Sequence, residues 1–194
     1  MRLLLIGPPG SGKGTQATEI SRHYDIPHIS SGDLLRRHIA DQTPLGRQIA
    51  PLVADGLLVP DSVVMDILRK PVETASRQAG GYVLDGFPRT IGQAEAAYLV
   101  AKDIGAWVQV ALYLDVPRDT VIERMLARHH TDGRPDDTPD VIVHRQDDFE
   151  KLTTPLLSYY ANREILIRID GTRPIAEVTT AAIAALDEVR PRLS

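Results

Sequence analysis

The chain has 194 residues, no cysteine and a formal net charge of −4 at pH 7. This length suits one domain with a substantial core, and the missing cysteines exclude disulfides and thiolate metal sites. The mild acidity argues against a general nucleic-acid-binding protein. Since no apolar run is long enough to span a bilayer and no signal segment is recognisable, we expect a soluble cytoplasmic protein without a membrane partner.

Short apolar runs alternate with longer amphipathic stretches along the whole chain. The runs rich in Val, Ile and Leu predict five strands, at 2–6, 26–30, 82–85, 108–115 and 165–169. Helical patterns are predicted at 13–24, 32–40, 44–54, 61–77, 90–103, 117–128, 139–162 and 175–189. Continuous apolar strands between helices indicate an α/β fold, a parallel sheet covered by helices on both faces. Ligands of such sheets bind at the carboxyl ends of the strands.

Two stretches interrupt this alternation. About fifty residues without a strand separate the second and third predicted strands, which is too many for one crossover, so helices 32–54 are predicted to be an insertion. The second stretch, HHTDGRPDDTPD at 129–140, is polar and contains glycine and proline. At its end, Thr138 followed by Pro139 is typical of a helix N-cap with proline at the first helical position.

The segment GPPGSGKGTQ at 7–16 fits the phosphate-loop pattern as far as Lys13, and it follows a strand and opens a helix. Its glycines let backbone N–H groups face a phosphate at a helix N-terminus, and Lys13 can bridge the outer phosphates. The pattern expects Ser or Thr where this chain has Gly14, with Thr15 one place late. We therefore expect Mg²⁺ to be held largely by phosphates and waters. Asp85 is predicted to hold it through water, or else to cap the turn before Gly86.

Five motifs in this order resemble the nucleoside monophosphate kinases, and most closely the adenylate kinase family. They are GPPGSGKGTQ, ISSGDLLR (29–36), DGFPRT (85–90) with Gln93, GRPDD (133–137) and DGTRPIAEV (170–178). The resemblance implies a five-stranded parallel P-loop NTPase fold with two mobile insertions. By this resemblance we expect a core of 1–29, 60–127 and 139–194, a monophosphate-binding insertion of 30–59, and a short LID of 128–138.

The resemblance also implies the site residues. ATP would be bound by Gly10, Ser11, Gly12, Lys13, Gly14, Thr15, Arg128 and Arg173. AMP would be bound by Ser31, Arg36, Leu57, Leu58, Val59, Gly86, Phe87, Pro88, Arg89, Gln93, Arg134 and Arg145. The groups expected to act on the transferring phosphoryl are Lys13, Arg89, Arg124, Arg128, Arg134 and Arg145.

Some of these positions have simpler interpretations. Arg36, Arg89 and Arg128 could be solvated surface residues, and Ser30 and Ser31 could merely cap the following helix. Ser31 also departs from the family, which usually carries Thr there; it keeps the hydroxyl and loses a methyl group. Arg36 and Arg89 are predicted on the first turn of a helix or just before one, facing the carboxyl edge of the sheet.

The implied reaction is reversible phosphoryl transfer from ATP to AMP, giving two ADP with Mg²⁺ as cofactor. The acceptor is already an anionic phosphate oxygen, so positioning and charge neutralisation suffice and no general base is needed. A UMP/CMP kinase is the alternative enzyme, and a non-catalytic nucleotide switch is the alternative outside catalysis. Structural zinc at His129, His130 and Asp132 is not expected, because the ligands are too few and poorly spaced. Family analogy favours a monomer.

Overall fold

The computed structural model describes residues 1–132 and 138–192, except for the side chains of residues 130–132. Five parallel strands form one sheet in the order β2-β3-β1-β4-β5. They are β1 (Arg2–Ile6), β2 (His28–Ser30), β3 (Tyr82–Asp85), β4 (Val110–Asp115) and β5 (Leu166–Asp170). All five predicted strands are present, and the predicted fold class is confirmed. Two strands begin two residues later than their apolar runs do.

The helices lie between the strands on both faces of the sheet. They are α1 (Lys13–Tyr24), α2 (Ser31–Ala40), α3 (Pro44–Ala54), α4 (Asp61–Gln78), α5 (Ile91–Asp103), α6 (Arg118–Asp132), α7 (Pro139–Asp148), α8 (Pro155–Ala161) and α9 (Ile175–Val189). A single turn of 3₁₀-helix, Arg190–Arg192, follows α9. None of the helices described combines the length and the apolarity that a bilayer crossing demands.

Two predicted helices have different extents in the structure. The helix predicted at 117–128 continues to Asp132, so it enters the segment expected to be the LID. The single helix predicted at 139–162 is wrong: α7 ends at Asp148, a π-helical turn follows over Phe149–Thr153, and α8 starts at Pro155. Proline is well suited to the first position of a helix but lacks the N–H that an interior position would donate, so Pro155 begins a new helix.

Alternation along β1 divides the core into two layers. Leu4 and Ile6 pack into a cluster with side chains of α2 to α5 and α8, whereas Leu3 and Leu5 pack into a second cluster with α1 and α9. All four side chains are at most 3% exposed. Because successive side chains of a strand point to opposite faces, one apolar strand can anchor helices on both sides of the sheet.

The register of the central strands brings three loops to one edge. Asp85, the last residue of β3, pairs with Ser30 on one side and with Leu5 on the other. The chain therefore leaves β1, β2 and β3 at the same level. The phosphate-loop segment follows β1, helix α2 follows β2, and residues 86–90 follow β3. Residues that are distant in sequence can therefore share one site at this edge of the sheet.

Candidate active site

A cavity of about 680 Å³ opens at this carboxyl edge. Most of the predicted site residues line it: Gly10, Gly12, Lys13, Gly14, Thr15, Arg36, Leu58, Asp85, Gly86, Phe87, Pro88, Arg89, Arg124, Arg128 and Arg145. A smaller cavity of about 60 Å³ adjoins it and is lined by the rest of the predicted acceptor-side residues that the structure describes: Ser31, Leu57, Val59 and Gln93. Three arginines, Arg36, Arg89 and Arg145, line both cavities and so lie at their junction.

The phosphate-loop segment holds its shape through backbone contacts. The Ser11 N–H donates to Pro8 O at 3.0 Å, and Gly12 caps α1 with a φ of 92°. That left-handed conformation is unfavourable for residues with a side chain, so Gly12 is required by the backbone itself. Gln146 of α7 supports the loop from outside, because its Nε2 donates to Pro9 O at 2.9 Å. Gln146 was not predicted, and nothing in its local sequence indicates this long-range contact.

Lys13 reaches back over the loop that precedes it. Its Nζ donates to Gly7 O at 2.8 Å and to Pro8 O at 3.0 Å. Burial lowers the pKa of Lys13 to about 8; Asp85 opposes this shift, while the nearby guanidinium groups, Arg89 foremost, add to it. A cationic amine held in a partly desolvated, positively charged site gains most from an anion placed beside it.

The unusual glycine at position 14 is not imposed by crowding. Among the described residues, a Cβ at Gly14 would meet no atom within 4 Å. The neighbouring Thr15 is exposed and lines the cavity. Nearby, the buried Asp85 Oδ1 has no hydrogen-bond partner among the described residues, and its Oδ2 lies 4.0 Å from His28 Nε2. An anionic oxygen left unpaired beside a phosphate loop is suited to a hydrated cation.

Two of the junction arginines, Arg36 and Arg89, donate hydrogen bonds within their own segments. The Nε of Arg89 donates to Gly86 O at 3.0 Å, and Arg36 donates to Asp33 Oδ1 at 2.5 Å. Arg36 lies in the second turn of α2, one turn later than predicted, whereas Arg89 precedes α5 as predicted. Thr153 supports Arg89 from the π-helical turn, since its hydroxyl donates to Arg89 O at 2.9 Å. The sequence pattern did not single out Thr153, because it predicted an unbroken helix there.

The two serines before Gly32 have separate positions. Ser30 is the N-cap of α2, and its side chain accepts from Asp33 N at 3.2 Å. Ser31 is only 1% exposed and lines the smaller cavity. A Cβ on Gly86, whose φ is 82°, would lie 2.6 Å from Ser31 Oγ, so a side chain at that position would be both strained and blocked. Ser31 is therefore part of the cavity wall, and Ser30 alone caps the helix.

Gln93 is held from three directions at the start of α5. Thr90 is the N-cap and accepts from Gln93 N at 3.1 Å. The side-chain Oε1 of Gln93 accepts from Arg89 N at 2.6 Å, and its Nε2 donates to Asp61 Oδ1 at 2.6 Å. Asp61 begins α4 and was not among the predicted residues, since an acidic residue in the first turn of a helix is ordinary.

The other predicted arginines, Arg124, Arg128, Arg134 and Arg173, divide into three cases. Arg124 and Arg128 lie one turn apart on α6 and line the larger cavity; Arg124 also donates to Gly171 O at 3.0 Å. Arg173 is not among the described residues that line either cavity, and its side chain is exposed and donates to Asp170 at 3.1 Å. Arg134 lies outside the described residues, as does most of the expected LID.

Two further predictions concern the segment after α6. Thr138 occupies the N-cap position of α7 and Pro139 the first helical position, as predicted, but the Thr138 side chain makes no capping hydrogen bond with the described residues. Within residues 1–132 and 138–192, no group of three His, Asp or Glu side chains is arranged to hold a metal ion. From the sequence, a zinc site at His129, His130 and Asp132 is not expected. The side chains of His130 and Asp132 lie outside the described part of the structure, so the structure does not test this expectation.

Comparison with known proteins identifies the family of this chain. The family model described as adenylate kinase matches residues 5–165. The adenylate kinase of Nocardia farcinica is 44% identical over 186 residues, covering 96% of this chain and 99% of the relative. The adenylate kinases of Kocuria rhizophila and a Cyanothece species are 42% and 40% identical, covering 96% and 97% of this chain and 98% and 96% of the relatives. The chain belongs to the adenylate kinase family.

Proposed function

We propose that this protein transfers a phosphoryl group reversibly from ATP to AMP, giving two ADP, with Mg²⁺ bound to the nucleotide. The observation that carries the proposal is the pair of adjoining cavities with Arg36, Arg89 and Arg145 at their junction. One cavity begins at a phosphate loop and the other ends at a buried glutamine amide. Two nucleotides that enter from opposite ends would bring their phosphates together among these arginines.

The larger cavity suits the donor. Gly10, Ser11, Gly12, Lys13, Gly14 and Thr15 would surround the ATP phosphates through backbone N–H groups and the Lys13 amine. Arg124 and Arg128 on α6 would face the same phosphates. Arg173 would bind ATP only through its backbone, because its side chain is engaged with Asp170 outside the cavity lining.

The smaller cavity suits the acceptor base. Leu57, Leu58 and Val59 give it an apolar wall, and Ser31, Phe87 and Gln93 also line it. The Gln93 amide uses one lone pair and one proton on protein partners, which leaves one acceptor and one donor for a base edge. Adenine presents N1 as an acceptor and its amino group as a donor, so both can be matched.

Catalysis would come from positioning and charge. In-line transfer passes through a loose transition state with negative charge on the equatorial oxygens, and the attacking group is already an anion. Lys13, Arg89, Arg124, Arg128, Arg134 and Arg145 are the groups we assign to neutralise that charge. Guanidinium groups suit this role, because they remain protonated at any working pH and grip phosphate through two N–H groups.

The residues present fit a magnesium ion held mainly by nucleotide. Mg²⁺ would supply a further positive charge that helps to neutralise the nucleotide phosphates. The Asp85 Oδ1, which has no partner among the described residues, would accept a hydrogen bond from a water of the hydrated ion, and Thr15 lines the same cavity. Asp85 would thereby orient the nucleotide without displacing water from the metal.

Two segments would close over the bound nucleotides. We assign acceptor closure to residues 30–59, which hold α2 and α3, and donor closure to residues 128–138, around a core of 1–29, 60–127 and 139–194. Closure would exclude water, because water competes with AMP for the phosphoryl group. Lid closure is a known motion of adenylate kinases, so this assignment rests on membership of the family.

A coupled assay with ATP against AMP, UMP, CMP and GMP tests the proposal. We expect AMP to be preferred over the pyrimidine nucleotides by at least about a hundredfold in kcat/KM. UMP would leave polar groups unpaired, and the smaller ring of UMP and CMP would leave a gap against the apolar wall. Disproportionation of ADP to ATP and AMP is the second readout. Equal use of UMP or CMP would replace this proposal with a pyrimidine nucleotide kinase, and absence of transfer would favour a nucleotide switch.

A further inference from the structure

The environment of the Gln93 amide determines which way that amide faces. Gln93 is 3% exposed, and its Oε1 accepts from Arg89 N while its Nε2 donates to Asp61 Oδ1, both at 2.6 Å. A backbone N–H can only donate and an ionised carboxylate can only accept. The two partners therefore specify the same orientation independently. Turning the amide over would set two donors against each other at Arg89 and two oxygens against each other at Asp61.

This orientation matters because a free glutamine amide is ambiguous. In one orientation it matches adenine, and it also matches cytosine, whose ring nitrogen accepts and whose amino group donates. Turned over, it matches hypoxanthine and uracil, whose ring N–H donates and whose carbonyl accepts. A glutamine amide that could turn would form two hydrogen bonds with either class of base and would bind both almost equally well. Selection between them therefore requires something that holds the amide in place.

We propose that Asp61 is a positioning residue that locks the Gln93 amide in the adenine-reading orientation and so makes the acceptor site reject bases with the reversed edge. The inference rests on the proposed function, in that it takes the smaller cavity as the acceptor-base site. Asp61 acts through Gln93 and is not itself among the described residues that line either cavity. Its contribution is to specificity between acceptors and not to the transfer of the phosphoryl group.

Asp61 also has an ordinary structural role from which this one must be separated. It is the first residue of α4, where a carboxylate is stabilised by the helix dipole. Loss of that stabilisation would loosen α4 and weaken every acceptor alike. If the Gln93 amide were no longer held in one orientation, only the preference between the two classes of base would change. Comparison of IMP with AMP isolates this difference, since the two purines have the same shape but reversed edges.

The test compares the unmodified enzyme with Asp61→Asn and with Asp66→Asn. Asparagine keeps the shape of Asp61 but can donate as well as accept, so it tolerates either orientation of Gln93. Asp66 is an exposed residue of the same helix with no hydrogen bond described, so its variant matches the charge change. We would measure kcat/KM for AMP and IMP, competition constants of CMP against AMP, KM for ATP and the melting temperature.

For Asp61→Asn we expect the preference for AMP over IMP to fall about tenfold, the scale of one hydrogen bond to a charged group. The ratio of AMP to CMP and the KM for ATP should stay within about twofold, because AMP and CMP need the same amide orientation. Asp66→Asn should leave all ratios unchanged. An AMP-to-IMP preference that stays within about twofold in Asp61→Asn, or one that falls equally in Asp66→Asn, would overturn the inference.

Failure of the proposed function gives a different result. In that case the unmodified enzyme itself would show no preference for AMP over IMP, UMP and CMP. If the unmodified enzyme prefers AMP and Asp61→Asn keeps that preference in full, the acceptor assignment stands and the positioning role of Asp61 is wrong. The melting temperature distinguishes both results from a general loosening of α4.

Discussion

The two ends of the joined cavity are built in opposite ways. The phosphate-loop end is formed by consecutive residues, and Lys13 contacts carbonyls only five and six residues before it. The glutamine end joins segments far apart in sequence: Gln93 contacts Asp61, and Arg89 is supported by Thr153 across 64 residues. Apart from the support of Gln146 to Pro9, the first end is thus shaped by local backbone geometry, whereas the second depends on tertiary packing. A single side chain can therefore alter the second end more easily.

The largest effect is expected at Lys13. Lys13→Met removes the side-chain cation of the loop, and we expect turnover to fall by about 30- to 1,000-fold, equivalent to about 2–4 kcal/mol of lost electrostatic stabilisation. Steady-state kinetics with both nucleotides measures this loss. Lys70→Met, an exposed position on α4, is the matched control. Near-normal turnover in Lys13→Met would mean that backbone N–H groups alone stabilise the phosphates at that end.

Arg89→Lys should affect the kinetics of the acceptor end more than those of the phosphate-loop end. Lysine keeps the charge but loses the planar fork, so we expect turnover to fall about 30-fold or more and KM to rise more for AMP than for ATP. The control is Arg37→Lys, an exposed residue beside Arg36. Equal rises in KM for AMP and ATP would assign Arg89 to both nucleotides, and unchanged kinetics would remove it from the site.

Gln93→Leu tests the acceptor end alone. Leucine fills a similar space but offers no hydrogen bond, so kcat/KM for AMP should fall about tenfold or more while KM for ATP changes less than about twofold. The preference for AMP over UMP should fall chiefly through AMP. A variant that keeps the full preference would show that ring size against Leu57, Leu58 and Val59 decides the base.

The smallest expected effect is the uptake of a fraction of a proton by Lys13 when ATP binds. The pKa of Lys13 is lowered to about 8 in the free protein, and a bound polyphosphate favours the charged amine and raises that pKa. The complex then holds more protons than the free protein above about pH 8, so binding takes up a proton and weakens as pH rises. Calorimetry of ATP binding near pH 8.5 in buffers of different ionisation enthalpy should detect about half a proton or more, absent in Lys13→Met.

The fold was predicted well because apolar runs and helical periodicity can be read from residues close together in the sequence. Apolar runs predicted all five strands, and the helices containing Pro51 and Pro71 were also predicted despite those prolines. The error at 139–162 has a physical cause: the amphipathic pattern continues through the π-helical turn, so only Pro155 indicates the interruption. π-helical turns are often found at functional sites. Here Thr153 of the turn donates a hydrogen bond to Arg89 O.

The site was predicted unevenly for the same reason. The phosphate loop and its glycines follow from a contiguous motif, whereas Asp61, Gln146 and Thr153 act through contacts between distant segments that no local pattern encodes. The resemblance to a known family supplied Arg36, Arg89 and Gln93, and the structure brings all three to the cavities. The roles assigned to the individual site residues, Arg134 and Arg173 among them, stay predictions, as do the insertion boundaries, the use of Mg²⁺, the monomeric state and the cytoplasmic location.

The charges of the larger cavity have a consequence for the rate at which nucleotides arrive. The protein as a whole carries a net charge of −4, yet among the described residues the cavity collects six cationic side chains against three acidic ones. The cations are Lys13, Arg36, Arg89, Arg124, Arg128 and Arg145, and the acids are Asp33, Asp85 and Asp148. A positive concave surface in an otherwise negative molecule focuses its field outward from the opening, so polyanions are steered toward it during diffusion. Salt would slow this encounter, and the same field would hold each charged product back as it leaves.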